Sequence, residues 1–86
     1  MNKLEWTTKA LKQLFKLPEN TQAAIRVSLH AMLAEWPHSR SVKALTNRND
    51  YRLRVGRYRV LFLVLPEGRV TIFRVMEVRI RDEHTY

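Results

Sequence analysis

Asp50-Tyr51-Arg52-Leu53-Arg54-Val55-Gly56-Arg57-Tyr58-Arg59-Val60-Leu61-Phe62 writes a β-hairpin and an arginine array into the same thirteen residues. Tyr51, Leu53 and Val55 alternate with Arg52 and Arg54, and beyond Gly56 the residues Tyr58, Val60 and Phe62 resume the period of two. One face is therefore apolar and the other carries arginine. Arg52, Arg54 and, with the phase set by the turn, Arg57 or Arg59 come to neighbouring positions, where like charges repel. An anionic ligand accounts for such a sheet.

Downstream, the hairpin's second strand runs from Arg57 to Leu65 and contains the run V-L-F-L-V-L, whose near-continuous hydrophobicity predicts a central strand covered on both faces. Pro66-Glu67-Gly68 predicts a turn into a last strand from Val70 to Val78. Upstream, a polar connection spans His38 to Asn49. Before it, Asn20 or Thr21 caps a helix with Ala24, Val27 and Ala31 on one line and Ile25, Leu29, Met32 and Leu33 beside it, closed by Trp36-Pro37. An earlier helix, capped by Thr7 or Thr8, carries Leu11, Leu14 and Phe15 and ends at Leu17-Pro18, because the residue before proline is pushed out of the α region. Lys3 to Trp6 is a short strand. The fold class is α+β, in the order β-α-α-β-β-β, with a helical hairpin packed on one face of a small antiparallel sheet. Residues 1–86 read as one domain without linker or repeat.

The chain has 86 residues, short but sufficient for a core of its own. With no cysteine, disulfides and thiolate metal sites are excluded, and His30, His38 and His84 have no ligand spacing, so neither a metal nor another cofactor is expected. No apolar run approaches the ~18 residues that span a bilayer and no signal-peptide core is present, so a cytoplasmic location without membrane contact is expected. The formal net charge is +8 and unevenly spread: Arg48 to Arg59 holds five arginines and one acid, whereas Glu19 to Trp36 holds Arg26 against two glutamates. Such polarity steers a protein to polyanions, and arginine's planar fork suits phosphate. Pairing of Arg52, Arg54 and Arg59 with Glu77, Asp50 and Glu67 is the structural alternative, but eight acids cannot neutralise sixteen bases. Trp6, Trp36, Phe15 and Phe62 belong to the core, His30 to a surface and His38 to a loop.

The core V-K-A-L-T-N-R-N-D-Y-R-L-R-V-G-R-Y-R-V-L-F, the Leu17-Pro18 break and the closing segment R-I-R-D-E-H-T-Y resemble the RelE/ParE superfamily of bacterial toxin components over nearly the whole chain. RelE-like ribonucleases and ParE-like DNA gyrase inhibitors share this pattern. For a RelE-like member the resemblance implies an endoribonuclease of the ribosomal A site, in which the ribose 2′-OH attacks its own 3′ phosphate, leaving a 2′,3′-cyclic phosphate and a 5′-OH. It also implies the ribosome, mRNA and a co-encoded antitoxin as partners, the antitoxin offering an acidic or amphipathic segment to the basic face.

Carried over by position, Arg52 and Arg54 fall where RelE has two lysines, Arg59 matches the arginine of G-x-Y-R, and Arg81 and Tyr86 resemble the closing arginine and tyrosine. The register of the tail leaves Arg79 as a competitor of Arg81. The implied catalytic set is Arg54, Arg59, Arg81, His84 and Tyr86, and the implied RNA and ribosome contacts are Arg52, Arg57, Lys43, Arg48 and Arg40. Arginine cannot act as a base in a protein, so Arg52 and Arg54 position and stabilise, and proton abstraction falls to His84 or Tyr86. A gyrase-binding module and a non-catalytic basic RNA-binding domain stay open beside the ribonuclease. The tail separates them, because a pure binder has no use for a histidine and a tyrosine among arginines.

Overall fold

The structure, a computed structural model, describes residues 1–45 and 49–80. Its elements are β1 (Asn2–Trp6), α1 (Thr8–Phe15), α2 (Glu19–Glu35), β2 (Val42–Ala44), β3 (Asp50–Val55), β4 (Tyr58–Glu67) and β5 (Val70–Ile80). The five strands form one sheet in the order β1-β5-β4-β3-β2, with the helical hairpin on one face. The α+β class and the hairpin on a sheet agree with the expectation. The sheet, however, is mixed: β1 runs parallel to β5, and the remaining pairs are antiparallel. Alternation in a sequence assigns faces but not the direction of the neighbouring strand. Here the direction follows from Thr7, which ties the end of β1 to β5 through its N–H on the Val75 carbonyl (3.0 Å) and its hydroxyl on the Met76 carbonyl (3.3 Å).

The polar connection also contains a strand. In β2, Val42, Lys43 and Ala44 lie opposite Leu53, Arg52 and Tyr51. Three residues are too few to show a period, and so short an edge strand discourages further pairing. The turn before β5 is Gly68-Arg69, because β4 continues through Pro66 to Glu67. Pro66 lies beyond the end of β3, where one side of β4 has no partner strand and proline is tolerated.

Thr7 caps α1, its hydroxyl accepting from the Ala10 N–H at 3.1 Å, and Leu17-Pro18 ends the helix as its sequence predicts. Pro18, rather than Asn20 or Thr21, is the cap of α2, without a side-chain cap bond. The core is built from Ala10 and Leu14 of α1, Ile25, Leu29 and Met32 of α2, and Leu53, Val60, Phe62, Phe73 and Val75 of the sheet. Trp36 completes it, lying edge-on to Tyr51 and Phe73 with ring centroids 5.0 Å away in each case. Phe15, expected in the core, is 60% exposed, and the line Ala24, Val27, Ala31 faces outward with Val27 68% exposed. Apolar residues surround α2 on several sides, so periodicity alone does not choose the face that meets the sheet.

β4 is central in the sheet, yet it is covered on one face only. Val60, Phe62 and Val64 are buried under the helices, whereas Leu61, Leu63 and Leu65 on the opposite face stay half-exposed. A β-bulge in β5 sets what shares that open face. Leu61 lies opposite Glu77 and Phe62 opposite Val75, so Met76 is the extra residue. Before the bulge Phe73 and Val75 point to the helices, and after it Val78 does. The phase of the strand changes there, and Glu77 and Arg79 are turned onto the open face.

Candidate nucleic-acid interface

The two-residue connection Gly56-Arg57 fixes the register of the arginine hairpin. Gly56 has φ +57° and Arg57 has no positive φ, the pattern of a type II′ turn, whose twist matches that of the strands it joins. Val55 therefore faces Tyr58, and Arg54 faces Arg59. On the other side of β4, Arg59 faces Arg79. Three arginines from three strands thus form one row across the open face, at a Cβ spacing of about 4.5–5.5 Å per step. The adjacent row holds Lys43 opposite Arg52, then Leu61 and Glu77.

One carboxylate buttresses this cationic surface. Glu77 accepts from Lys9 Nζ at 2.9 Å and from Arg79 Nη2 at 2.8 Å, with 19% of its side chain exposed. The Lys9 hydrogen bond holds the Glu77 carboxyl below its ordinary value of 4.5, outweighing the opposing effect of burial, and Arg79 adds to the lowering. Further along, Arg74 Nε donates to Glu5 at 3.2 Å and closes a balanced pair. Among the described residues, Arg52 and Arg54 form no ion pair, so Glu77 serves Lys9 and Arg79 in place of the arginines it was expected to neutralise.

The lowered carboxyl has a consequence for stability. A carboxyl depressed in the folded state contributes stability that is fully present above its unfolded pKa and is lost as pH falls through the folded value. Glu77→Gln is therefore expected to remove part of the acid limb of the stability profile below about pH 4.5 while leaving its slope near neutrality unchanged. Urea unfolding of parent and variant between pH 3 and 7 checks this; parallel profiles across that range contradict it.

Of the residues singled out from sequence, Arg52, Arg54 and Arg59 are brought together with Lys43 at the edge of the same face. Arg57 is exposed at the hairpin tip, beside Asn20, Thr21 and Tyr58. Arg40 lies apart, on a depression lined by Ser28, Met32 and Leu53 between α2 and β3. Arg48, Arg81, His84 and Tyr86 lie outside the described residues. Arg79, the competitor of Arg81, completes the row. Lys9 and the structural part of Glu77 were not visible in the sequence, because their contact joins α1 to β5 across 68 positions and no local pattern encodes it. The bulge left a trace: Val75-Met76, two successive apolar residues inside an alternating strand.

Among the described residues no group of three or more His, Asp or Glu is placed to hold a metal ion, and no helix is long and apolar enough to cross a membrane. The family model for the ParE toxin of type II toxin-antitoxin systems matches residues 4–81. No curated protein matches the chain. Among solved structures, the chain is similar to one from the toxin-antitoxin complex RelBE2 of Mycobacterium tuberculosis, with 27% identity, a TM-score of 0.73, and 92% of this chain and 96% of that one covered. It is similar to a chain of the intact RelBE toxin-antitoxin complex of E. coli, with 25% identity, a TM-score of 0.69, and 95% and 98% covered. A YoeB/ParE toxin from Agrobacterium tumefaciens shares the fold at 14% identity and a TM-score of 0.75, with 93% and 99% covered.

Proposed function

This chain belongs to the family of ParE toxins of type II toxin-antitoxin systems, and on that premise we propose that it is a ribosome-dependent endoribonuclease that cuts mRNA in the A site without a metal ion. The observation that carries this reading is the row Arg54, Arg59, Arg79 on a sheet face left open by the helices. Attack of a ribose 2′-OH on its 3′ phosphate passes through a phosphorane of rising negative charge, and preorganised guanidinium groups stabilise that charge without reorganising. Glu77 holds Arg79 in place, with Lys9 as its second anchor.

The remaining steps fall to groups of another kind. No arginine of the row acts as a base, so His84 or Tyr86 takes the proton from the 2′-OH, and Arg81 supports the leaving 5′ oxygen. Lys43 and Arg52, with Arg40, Arg48 and Arg57, make electrostatic contacts to RNA. The RelBE relatives are toxin-antitoxin complexes, and this toxin is assigned a cognate antitoxin that offers an acidic or amphipathic segment to the basic face. The cell compartment of such chemistry is the cytoplasm.

A second reading, inhibition of DNA gyrase by a ParE-like surface, is favoured by the match to the ParE family model. Inducible expression followed by mapping of mRNA 5′ ends separates the two. Codon-phased cuts confined to translated messages are expected; DNA damage with intact mRNA contradicts the ribonuclease reading and supports the other.

A further inference from the structure

Beside the arginine row the open face changes character. Leu61 and Leu63 of β4, Met76 of the bulge and Leu45 surround a depression of about 210 Å³, with the carboxylates of Asp50 and Glu77 contributing to its lining. Leu61 and Leu63 are half-exposed on the side of the sheet away from the helices, so they are not part of the core between sheet and helices. Leu61 is two residues along β4 from Arg59, about 7 Å at the rise of a strand, and that separation is within the reach of one nucleoside whose phosphate lies on the row.

We propose that this depression is a nucleobase subsite: a single-stranded RNA crossing the open face lays a phosphate on Arg54, Arg59 and Arg79 and stacks the adjoining base on Leu61, Leu63 and Met76. The inference rests on the ribonuclease reading and deepens it. Charge complementarity selects the occupant. The arginine row calls for a polyanion, yet Asp50 and Glu77 repel phosphate from the depression itself, so it receives the uncharged, flat part of the same ligand. A nucleotide has an anionic group and a flat apolar face joined at this separation. The bulge serves both halves of the site, since it supplies Met76 to the floor and turns Arg79 into the row.

The test uses the whole chain with methyl-labelled leucine and methionine, titrated with hexaadenylate and with a strand of equal length and charge that lacks one base. Ring-current shifts are expected at the Leu61, Leu63 and Met76 methyls with hexaadenylate, and loss of the stacked base should weaken binding by roughly 5- to 100-fold. In Leu63→Ser, a half-exposed position, the two strands should bind with closer affinities. Arg54→Gln should weaken both strands alike. Methyl signals that stay still while the arginine side-chain signals move would overturn the subsite and leave the phosphate row standing. Silence of both sets at saturating strand concentration would overturn the subsite together with the ribonuclease reading. Methyl shifts that arise only in the complex with the antitoxin, and never with RNA, would make the depression a protein-docking feature and overturn the proposal.

Discussion

Alanine at Arg54 or at Arg59 lowers the rate of mRNA cleavage at least tenfold, about 1.4 kcal/mol of transition-state stabilisation, and up to a thousandfold if each group acts as a full oxyanion donor. The expectation follows from the register that sets Arg54 opposite Arg59 and Arg59 opposite Arg79. The loss has a further signature. Like charges on directly opposed positions destabilise a sheet, so Arg54→Ala should unfold at the same urea concentration as the parent or at a higher one. Activity that falls while stability holds marks a surface kept for function at the expense of the fold. The three guanidinium groups act on one developing charge, so removing all three should cost less than the sum of the single losses. Single-turnover cleavage on programmed ribosomes, read beside urea unfolding of each variant, checks both parts; full activity in both single variants removes the catalytic assignment.

Deletion of Met76 is expected to abolish the fold. Without the extra residue the alternation of β5 runs on unbroken, so Glu77 and Arg79 are directed at the helices and Val78 at solvent. An uncompensated buried charge costs about 3–5 kcal/mol, and two of them, with the exposure of Val78, rival the roughly 5–15 kcal/mol that stabilises a whole domain. Met76→Ala keeps the bulge and trims a half-buried side chain, so it should remain folded. Circular dichroism and soluble yield of the two variants side by side check the assignment. A folded deletion variant would show that β5 reaches its phase by another route.

The arginine hairpin was legible because period two and a glycine turn are local signals, and the turn then fixes which arginines meet. The helical hairpin was legible for the same reason, through Thr7 as cap and Pro18 as stop. What sequence left out is non-local. The direction of β1 depends on its tie to β5 through Thr7, and the pairing of β2 with β3 depends on a three-residue ladder. Phe15 and the Val27 line were placed in the core because both helices offer more apolar residues than one sheet face can cover. The site divides in the same way. Arg52, Arg54 and Arg59 stand in one pattern of thirteen residues, whereas Arg79 joins them only through the bulge, and Glu77 reaches Lys9 only through the packing of α1 on β5.

The central claim is that this toxin's open arginine face catalyses RNA cleavage. Its most direct test is the chemistry of the ends produced when the purified chain is added to ribosomes programmed with a defined message. The account gives cuts within the A-site codon that leave a 2′,3′-cyclic phosphate and a 5′-OH, and no cuts with Arg54→Ala/Arg59→Ala. An intact message with the parent chain, alongside loss of gyrase supercoiling at the same toxin concentration, would contradict it.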